Sequence, residues 1–342
     1  MDRASLPERL SRALRTDIAL DMLPDTGLAH DHVRLVGTGR LARVPKQSQM
    51  QLAAADNLAY QAACFTRASA SGHAPTLFEV LAPSDELPRG ALIVEEIVGR
   101  QARLPEDLAA IATALARIHA LPLPPEAERA PLLDAAAPLD ALRAEVGEQA
   151  AYLDAADLSA EARAGIEAER AMLADADPAP APRRLISFDA HPGNFLVRGD
   201  GSAVLVDLEK ARYSLPPLDL AHATLYTSTT WDVATDAELS VEQVAGAYAD
   251  WAVALGADAG SYRDWLLPLR RAMWLWSVTW CAKWRVLSAR EAKAAADGED
   301  WSAARSEDAL IAHVRGRVDC YLDAATVALV RDEFGRLDAL WR

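Results

Sequence analysis

The sequence predicts an α+β chain of two lobes: a small antiparallel β lobe at the N-terminus and a large helical lobe after it. Three observations lead there. Short apolar runs punctuated by glycine cluster before residue 98. Alanine- and leucine-rich stretches of helical length fill most of the chain beyond that point. Near the middle, two short apolar segments each end in polar groups. They are Leu185-Ile186-Ser187-Phe188-Asp189-Ala190-His191-Pro192-Gly193-Asn194 and Val204-Leu205-Val206-Asp207-Leu208-Glu209.

Residues 4–16 read as a short amphipathic helix. Thr26 to Asp31 reads as a tight loop between a first strand and a hairpin. Val33-Arg34-Leu35-Val36 and Leu41-Ala42-Arg43-Val44-Pro45, joined by Gly37-Thr38-Gly39, form that hairpin, because glycine supplies the turn. Residues 51–69 make an alanine-rich amphipathic helix, and Thr76 to Val80 with Ala91 to Val94 complete a sheet of about five strands. Glu95-Glu96-Ile97-Val98-Gly99 leaves the sheet, which puts the lobes at 1–98 and 99–342. A helix runs from about Pro105 to Ala120, and helices with proline breaks continue to Asp177. The alternating prolines of 178–182 are a stiff, extended connector into the strand before Asp189. After Pro216 the pattern is helical, over about 239–255, 265–293, 301–322 and 323–338.

A chain of 342 residues, 51% hydrophobic, can bury a sizeable core. Its formal charge of −15 argues against non-specific binding to nucleic acid or anionic lipid. That charge suits a cationic small substrate, and it equally suits solubility alone. Cys64, Cys281 and Cys320 are scattered without Cys-x-x-Cys spacing, so reduced thiols and a cytoplasmic location are expected. Met1 to Leu20 is charged throughout and gives no signal-peptide pattern. The most apolar stretch, Ala272 to Ala282, is too short to span a membrane. The oligomeric state is not legible.

The central segments point to chemistry. Phosphoryl transfer needs a carboxylate for the proton of an attacking hydroxyl. It also needs oxygen ligands that hold magnesium on the nucleotide phosphates. Asp189 and Asn194 supply an acid and an amide five residues apart, and Asp207 follows thirteen residues after Asn194 at the end of the next apolar segment. Pro192-Gly193 would by itself be an ordinary turn between two strands. The second acid at that distance favours the catalytic reading.

The Asp-x-x-x-x-Asn spacing followed by a strand-end Asp resembles the catalytic and metal-binding loops of kinases. The wording His191-Pro192-Gly193-Asn194 resembles the aminoglycoside phosphotransferase and choline kinase family. The helix ending Leu115-Ala116-Arg117-Ile118-His119-Ala120-Leu121-Pro122 comes in the order of that family. The resemblance covers most of the chain and implies a bilobed protein-kinase-like fold with ATP, GTP not excluded, between the lobes. It implies Asp189 as catalytic base, Asn194 and Asp207 as Mg2+ ligands, and Asp219 as a brace for the loop. The expected function is ATP- and Mg2+-dependent phosphorylation of a hydroxyl on an amino sugar, amino alcohol or related metabolite. A catalytically weak nucleotide-binding or scaffold protein of the same fold is the alternative. A protein kinase is disfavoured, since there is no Gly-x-Gly-x-x-Gly loop and no Asp-Phe-Gly segment.

Three departures from the family pattern matter. Ser187 stands where the family usually has His, which puts loop rigidity in question. The phosphate-binding cation is Arg43 or Lys46, with Arg43 slightly favoured because it lies inside the apolar strand. Its usual Glu partner is missing, since no Glu occurs between Gln47 and Phe78, leaving Gln61 or Asn57 for a neutral hydrogen bond. Arg34 and Arg40 add positive charge around the hairpin expected to cover the phosphates.

Other residues stay open between two readings. His191 is a loop element or an acid–base or metal group. Glu209 touches metal through water or ends a strand in solvent. Trp276, Trp280 and Trp284 fall on one helix face, near Trp274 and Trp265, and are core or an aromatic wall for a cation. Residues 121–180 hold thirteen acids against four Arg, either a solvated face or a rim steering a cationic acceptor.

Overall fold

The computed structural model describes residues 3–24, 29–232, 235–288 and 308–341. Parts of three expected elements, 26–28, 289–293 and 301–307, lie outside the described residues. The N-terminal lobe contains α1 (Leu6–Leu14), β1 (Leu20–Met22), β2 (His30–Leu35), β3 (Arg40–Pro45), α2 (Ala54–Ala68), β4 (Leu77–Leu81) and β5 (Ala91–Glu95). Its strands form one antiparallel sheet in the order β1-β2-β3-β5-β4. The hairpin pairs His32 with Arg43 and Arg34 with Leu41, and Gly37 and Gly39 take φ of 76° and 66° at its turn. Those left-handed angles are why glycine occupies both places. Strand β2 begins at His30, inside the stretch expected as a loop, because His30 is buried and paired with Pro45.

The C-terminal lobe follows with β6 (Arg100–Gln101), α3 (Leu108–His119), α4 (Pro138–Ala150), α5 (Ala160–Asp175), β7 (Arg184–Ile186), β8 (Phe195–Val197), β9 (Ala203–Leu205) and β10 (Arg212–Ser214). Then come α6 (Pro217–Thr224), α7 (Tyr226–Thr229), α8 (Val241–Leu255), α9 (Leu266–Ser288), α10 (Asp308–Tyr321) and α11 (Ala324–Trp341). Two small antiparallel sheets, β6-β8-β9 and β10-β7, frame the central loops. Strands β6 and β10 are too short to leave a periodic signature. Gly99 lets the chain pass β8, since a Cβ there would lie 2.7 Å from the Val197 carbonyl oxygen. The proline-rich connector is pinned by Trp265 Nε1–H on the Ala179 carbonyl (2.7 Å) and by the Tyr262 hydroxyl on the Pro182 carbonyl (2.8 Å).

The hydrophobic interior divides in two. A small cluster joins Leu6 and Leu10 of α1 to Val33, Leu35, Ala42, Val44 and Ile93 of the sheet. A large continuous core holds the C-terminal helices together with Leu58, Tyr60, Cys64 and Phe65 of α2. Helix α2 is also tied to the far lobe by the Tyr60 hydroxyl on the Ala211 carbonyl at 2.7 Å. Among the described residues no helix is long and apolar enough to cross a membrane.

The tryptophan stripe of α9 splits. Trp274 and Trp284 are buried in the large core, whereas Trp276 and Trp280 are partly exposed. Trp284→Ala removes a buried indole and should lower stability by about 3–5 kcal/mol. Chemical denaturation of parent and variant checks this. A change below about 1 kcal/mol would place Trp284 outside the core.

Candidate active site

The loop after β7 is held by a buried carboxylate. Asp219, fully buried on α6, accepts the Ser187 N–H at Oδ2 (2.7 Å) and the Phe188 N–H at Oδ1 (2.8 Å). Its Oδ2 also meets His119 Nε2 at 3.1 Å. His119 Nδ1 accepts the indole N–H of Trp251 at 3.0 Å, so that nitrogen is the bare one and Nε2–H donates to Asp219. Phe188 sits at φ 57°, a left-handed backbone that disfavours a bulky residue by about 1–2 kcal/mol. Hydrogen bonds to an ionised acceptor are worth about 1.5–3 kcal/mol each, enough to hold that conformation. Ser187 contributes as well, its Oγ accepting the Asp189 N–H at 3.1 Å. The loop is therefore rigid without a histidine at position 187.

The turn presents Asp189 and Asn194 together. Asn194 Nδ2 donates to the Asp189 carbonyl (2.8 Å), and the Asn194 N–H donates to the His191 carbonyl (2.9 Å). With its nitrogen committed to the loop, the amide oxygen is the atom Asn194 can offer a metal. The Val206 N–H donates to the Asn194 carbonyl at 2.9 Å, fastening this loop to the segment that carries Asp207. The Asp189 carboxylate meets Lys210 Nζ at 3.1 Å. Burial pushes the Asp189 carboxyl upward. The Lys210 ammonium, with lesser help from His222 and His191, outweighs that and holds it below the ordinary value. His191 is a loop element whose Nδ1 is buried without a partner, and its ring stands 6.2 Å from that of His222.

Asp207 and Glu209 meet the N-terminal lobe. Arg43, 4% exposed, places one guanidinium nitrogen 2.9 Å from Asp207 Oδ1 and another 3.0 Å from the Val206 carbonyl. Its guanidinium also lies 5.3 Å from the centre of the Phe65 ring. Burial raises the Asp207 carboxyl, but Arg43 chiefly overrides it and the net value falls to about 2. His30 is pushed down to about 3 by burial and by Arg43, so its ring is neutral. Its Nε2 meets Gln61 Oε1 at 2.9 Å, and Gln61 Nε2 donates to Glu209 Oε2 at 3.4 Å. Asp207, from the other lobe, thus gives Arg43 the acid that helix α2 lacks.

Glu209 is 4% exposed, which removes the solvent-facing reading. Burial first, and the neighbouring Asp207 charge second, push its carboxyl up to about 8. Its Oε1 is buried without a hydrogen-bond partner. Ligand atoms of His30, Asp207 and Glu209 all lie within 4.8 Å of one another. A divalent cation favours such oxygen donors and would reverse the cost of burying two acids together. The oxygen donors suit a hard divalent cation, which Asp207 and Glu209 would hold.

Of the residues predicted from the sequence, Asp189, Asn194, Asp207 and Arg43 come together. Lys46 lies just beyond the end of β3, and its backbone N–H bonds the Ala29 carbonyl at 2.8 Å. Arg34 is paired with Glu96, and Arg40 stacks on Phe78, so the hairpin cations are already engaged at their own sheet. The acids of 121–180 are not a bare rim: Asp134, Asp140, Glu145, Asp154, Glu167 and Glu169 each pair with an arginine. Lys210 escaped the sequence reading, although it stands only three residues after Asp207. Trp276 is also at the site, edge-on to Phe188 at 5.3 Å and bonded through Nε1 to Glu145 at 3.2 Å.

A small β lobe, a helical lobe and these paired loops define a protein-kinase-like phosphotransferase. Residues 23–257 match the model of the phosphotransferase enzyme family, and the chain belongs to that family. It is accordingly a phosphotransferase. Solved structures of the same fold include a choline/ethanolamine kinase family protein from Mesorhizobium loti, with 17% identity and TM-score 0.56, covering 99% of this chain and 97% of that one. A GDP complex of aminoglycoside 2'-phosphotransferase-IIIa has 14% identity and TM-score 0.61, covering 94% and 99%. A choline kinase from Streptococcus pneumoniae has 12% identity and TM-score 0.55, covering 93% and 99%. No curated protein matches the chain.

The buried Glu209 makes stability depend on pH. Its folded value, about 8, exceeds the unfolded value near 4.3, so the folded state holds the extra proton between them. Without divalent metal, the stability this group contributes is full below about pH 4 and is lost as pH rises through about 8. Glu209→Gln should flatten that decline. Denaturation between pH 5 and pH 9 in chelator checks it, and identical slopes in parent and variant would refute it.

Proposed function

We propose that this protein is an ATP- and Mg2+-dependent kinase acting on a hydroxyl of an amino sugar, an amino alcohol or a related small metabolite. The observation that supports it most is the meeting of Asp189, Asn194 and Asp207 on two loops stitched by the Val206–Asn194 backbone bond. Asp189 accepts the proton of the acceptor hydroxyl as the oxygen attacks the terminal phosphorus. Its lowered pKa keeps it ionised for that task. Asn194 and Asp207 hold the metal, with Glu209 beside them. Mg2+, when bound, screens the nucleotide phosphates and neutralises charge on the leaving diphosphate. Arg43 fixes Asp207 from beneath and adds positive charge at the phosphate end, with Lys46 as a second cation beyond the strand. The acceptor classes are drawn from the substrates in the neighbours' own names. We place the lobe boundary at residues 98 and 99, where the chain leaves the sheet.

The rival reading, a weak nucleotide binder or scaffold, rests on Ser187 and on the missing helix Glu. Ser187 pins Asp189, and Arg43 has its acid in Asp207. Both features favour the enzyme.

A magnesium-dependent phosphorylation screen over amino sugars, amino alcohols and sugars, with ATP and GTP as donors, tests the proposal. Asp189→Asn should cut turnover by about 10²–10⁴ while nucleotide affinity stays near that of the parent. Parental turnover in that variant would remove Asp189 as the base. Asp207→Ala should abolish magnesium-dependent nucleotide binding in calorimetry, because no neutral side chain replaces the bridging carboxylate. Unchanged affinity would make Asp207 structural.

A further inference from the structure

Arg43, the cation placed above at the phosphate end, is held in a buried ion pair. It is 4% exposed and its guanidinium is bound to Asp207 and to the Val206 carbonyl. A different cation stands on the reacting side of the cleft. Lys210 Nζ lies 3.1 Å from the Asp189 carboxylate, and it lies 5.7 Å from the centre of the Trp276 ring. Trp276 is itself anchored through Glu145, which also binds Arg212 at 2.6 Å. The Lys210 and Asp189 side chains are 17% and 13% exposed, so the pair is neither sealed in the core nor out in solvent. Its backbone belongs to the segment that delivers Asp207 and Glu209. One short stretch therefore brings acids to the metal side of Asp189 and an ammonium to the base itself.

We propose that Lys210 is a second catalytic residue, whose ammonium binds the oxygens of the phosphoryl group as it passes to the acceptor. This assignment rests on the kinase reading above. In the transfer, the bond between the terminal phosphorus and the oxygen bridging to the diphosphate breaks, and that oxygen keeps the electron pair. The acceptor oxygen forms the new bond to phosphorus, and its proton goes to Asp189. A cation touching Asp189 is within reach of both the attacking oxygen and the equatorial phosphoryl oxygens. Fixed positive charge aimed there acts on the transition state more than on the ground state. A lysine is suited to this place, as a compact charge on a flexible stem that can shift from carboxylate to phosphoryl oxygen without losing its partner.

The test does not need the acceptor to be known. Full-length protein is titrated with MgADP alone and then with MgADP plus fluoroaluminate, a mimic of the phosphoryl group in flight. Lys210→Met and Lys210→Gln should bind MgADP within about threefold of the parent, yet should need about tenfold or more fluoroaluminate for half-maximal trapping. Lys210→Arg, which keeps the charge, should recover most of the trapping. Glutamine can still donate a hydrogen bond to Asp189. Parental trapping by Lys210→Gln would therefore reduce Lys210 to a positioning residue and overturn the proposal, as would parental trapping by Lys210→Met. A parent that fails to bind MgADP at all would instead overturn the kinase reading, and the Lys210 assignment with it.

Discussion

The buried carboxylate of Asp219 is the constraint on which the site depends. It has no exposure, and both of its oxygens are spent on the backbone N–H groups of Ser187 and Phe188 and on His119. An acid without water must find donors, and here the donors are the loop that presents Asp189. The relay from Trp251 through His119 joins α8, α3 and α6 at one point, so the helical core sets the loop's position. The left-handed backbone at Phe188 then turns its ring onto Trp276 and Arg212, and the next residue is Asp189.

A second buried cluster joins the two lobes by charge. Arg43 crosses from β3 to Asp207, and the His30–Gln61 pair reaches Glu209. Two acids and one guanidinium sit beside a neutral imidazole, and all but the partly exposed Asp207 are buried. Glu209 bears the imbalance, as its raised pKa and its unpartnered oxygen indicate. Breaking one partner of such a cluster leaves a buried charge uncompensated, which is more costly than never having built the pair.

Much of this was legible in the sequence, for identifiable reasons. The hairpin and the long helices carry strong periodic signals, and the paired loops have a spacing that phosphoryl transfer requires. Asp189, Asn194 and Asp207 could be named because their spacing and the His-Pro-Gly-Asn wording resemble the loops of a known family, and Arg43 because it lies inside an apolar strand. What was not legible came from contacts between distant segments. Arg43 and Asp207 are separated by 164 residues, so nothing local reveals that the acid missing from α2 is replaced from the other lobe. Lys210 follows the acidic pair as one charge among several. Trp276 and Trp284 lie on one helix, and only packing by α4 and the catalytic loop distinguishes the cleft tryptophan from the core one. The acids of 121–180 can be counted in the sequence, but not the reach of Arg183, Arg212, Arg271 and Arg331 into that segment from outside it.

The division of the interior into two cores has a mechanical consequence. Helix α2 belongs by sequence to the β lobe, yet Tyr60, Cys64 and Phe65 are packed into the large core and Tyr60 is bonded to Ala211. Swinging the whole N-terminal lobe as a rigid flap would shear that close-packed interior. The β2–β3 hairpin lies inside the five-stranded sheet, between β1 and β5, over its own small cluster with α1, and its base is tied to the far lobe through Arg43 and His30. Compliance is therefore concentrated at the exposed turn of residues 36–40, where a Cβ on Gly37 or Gly39 would meet nothing. The tip of the hairpin can bend by itself while Arg43 keeps its base fastened to Asp207.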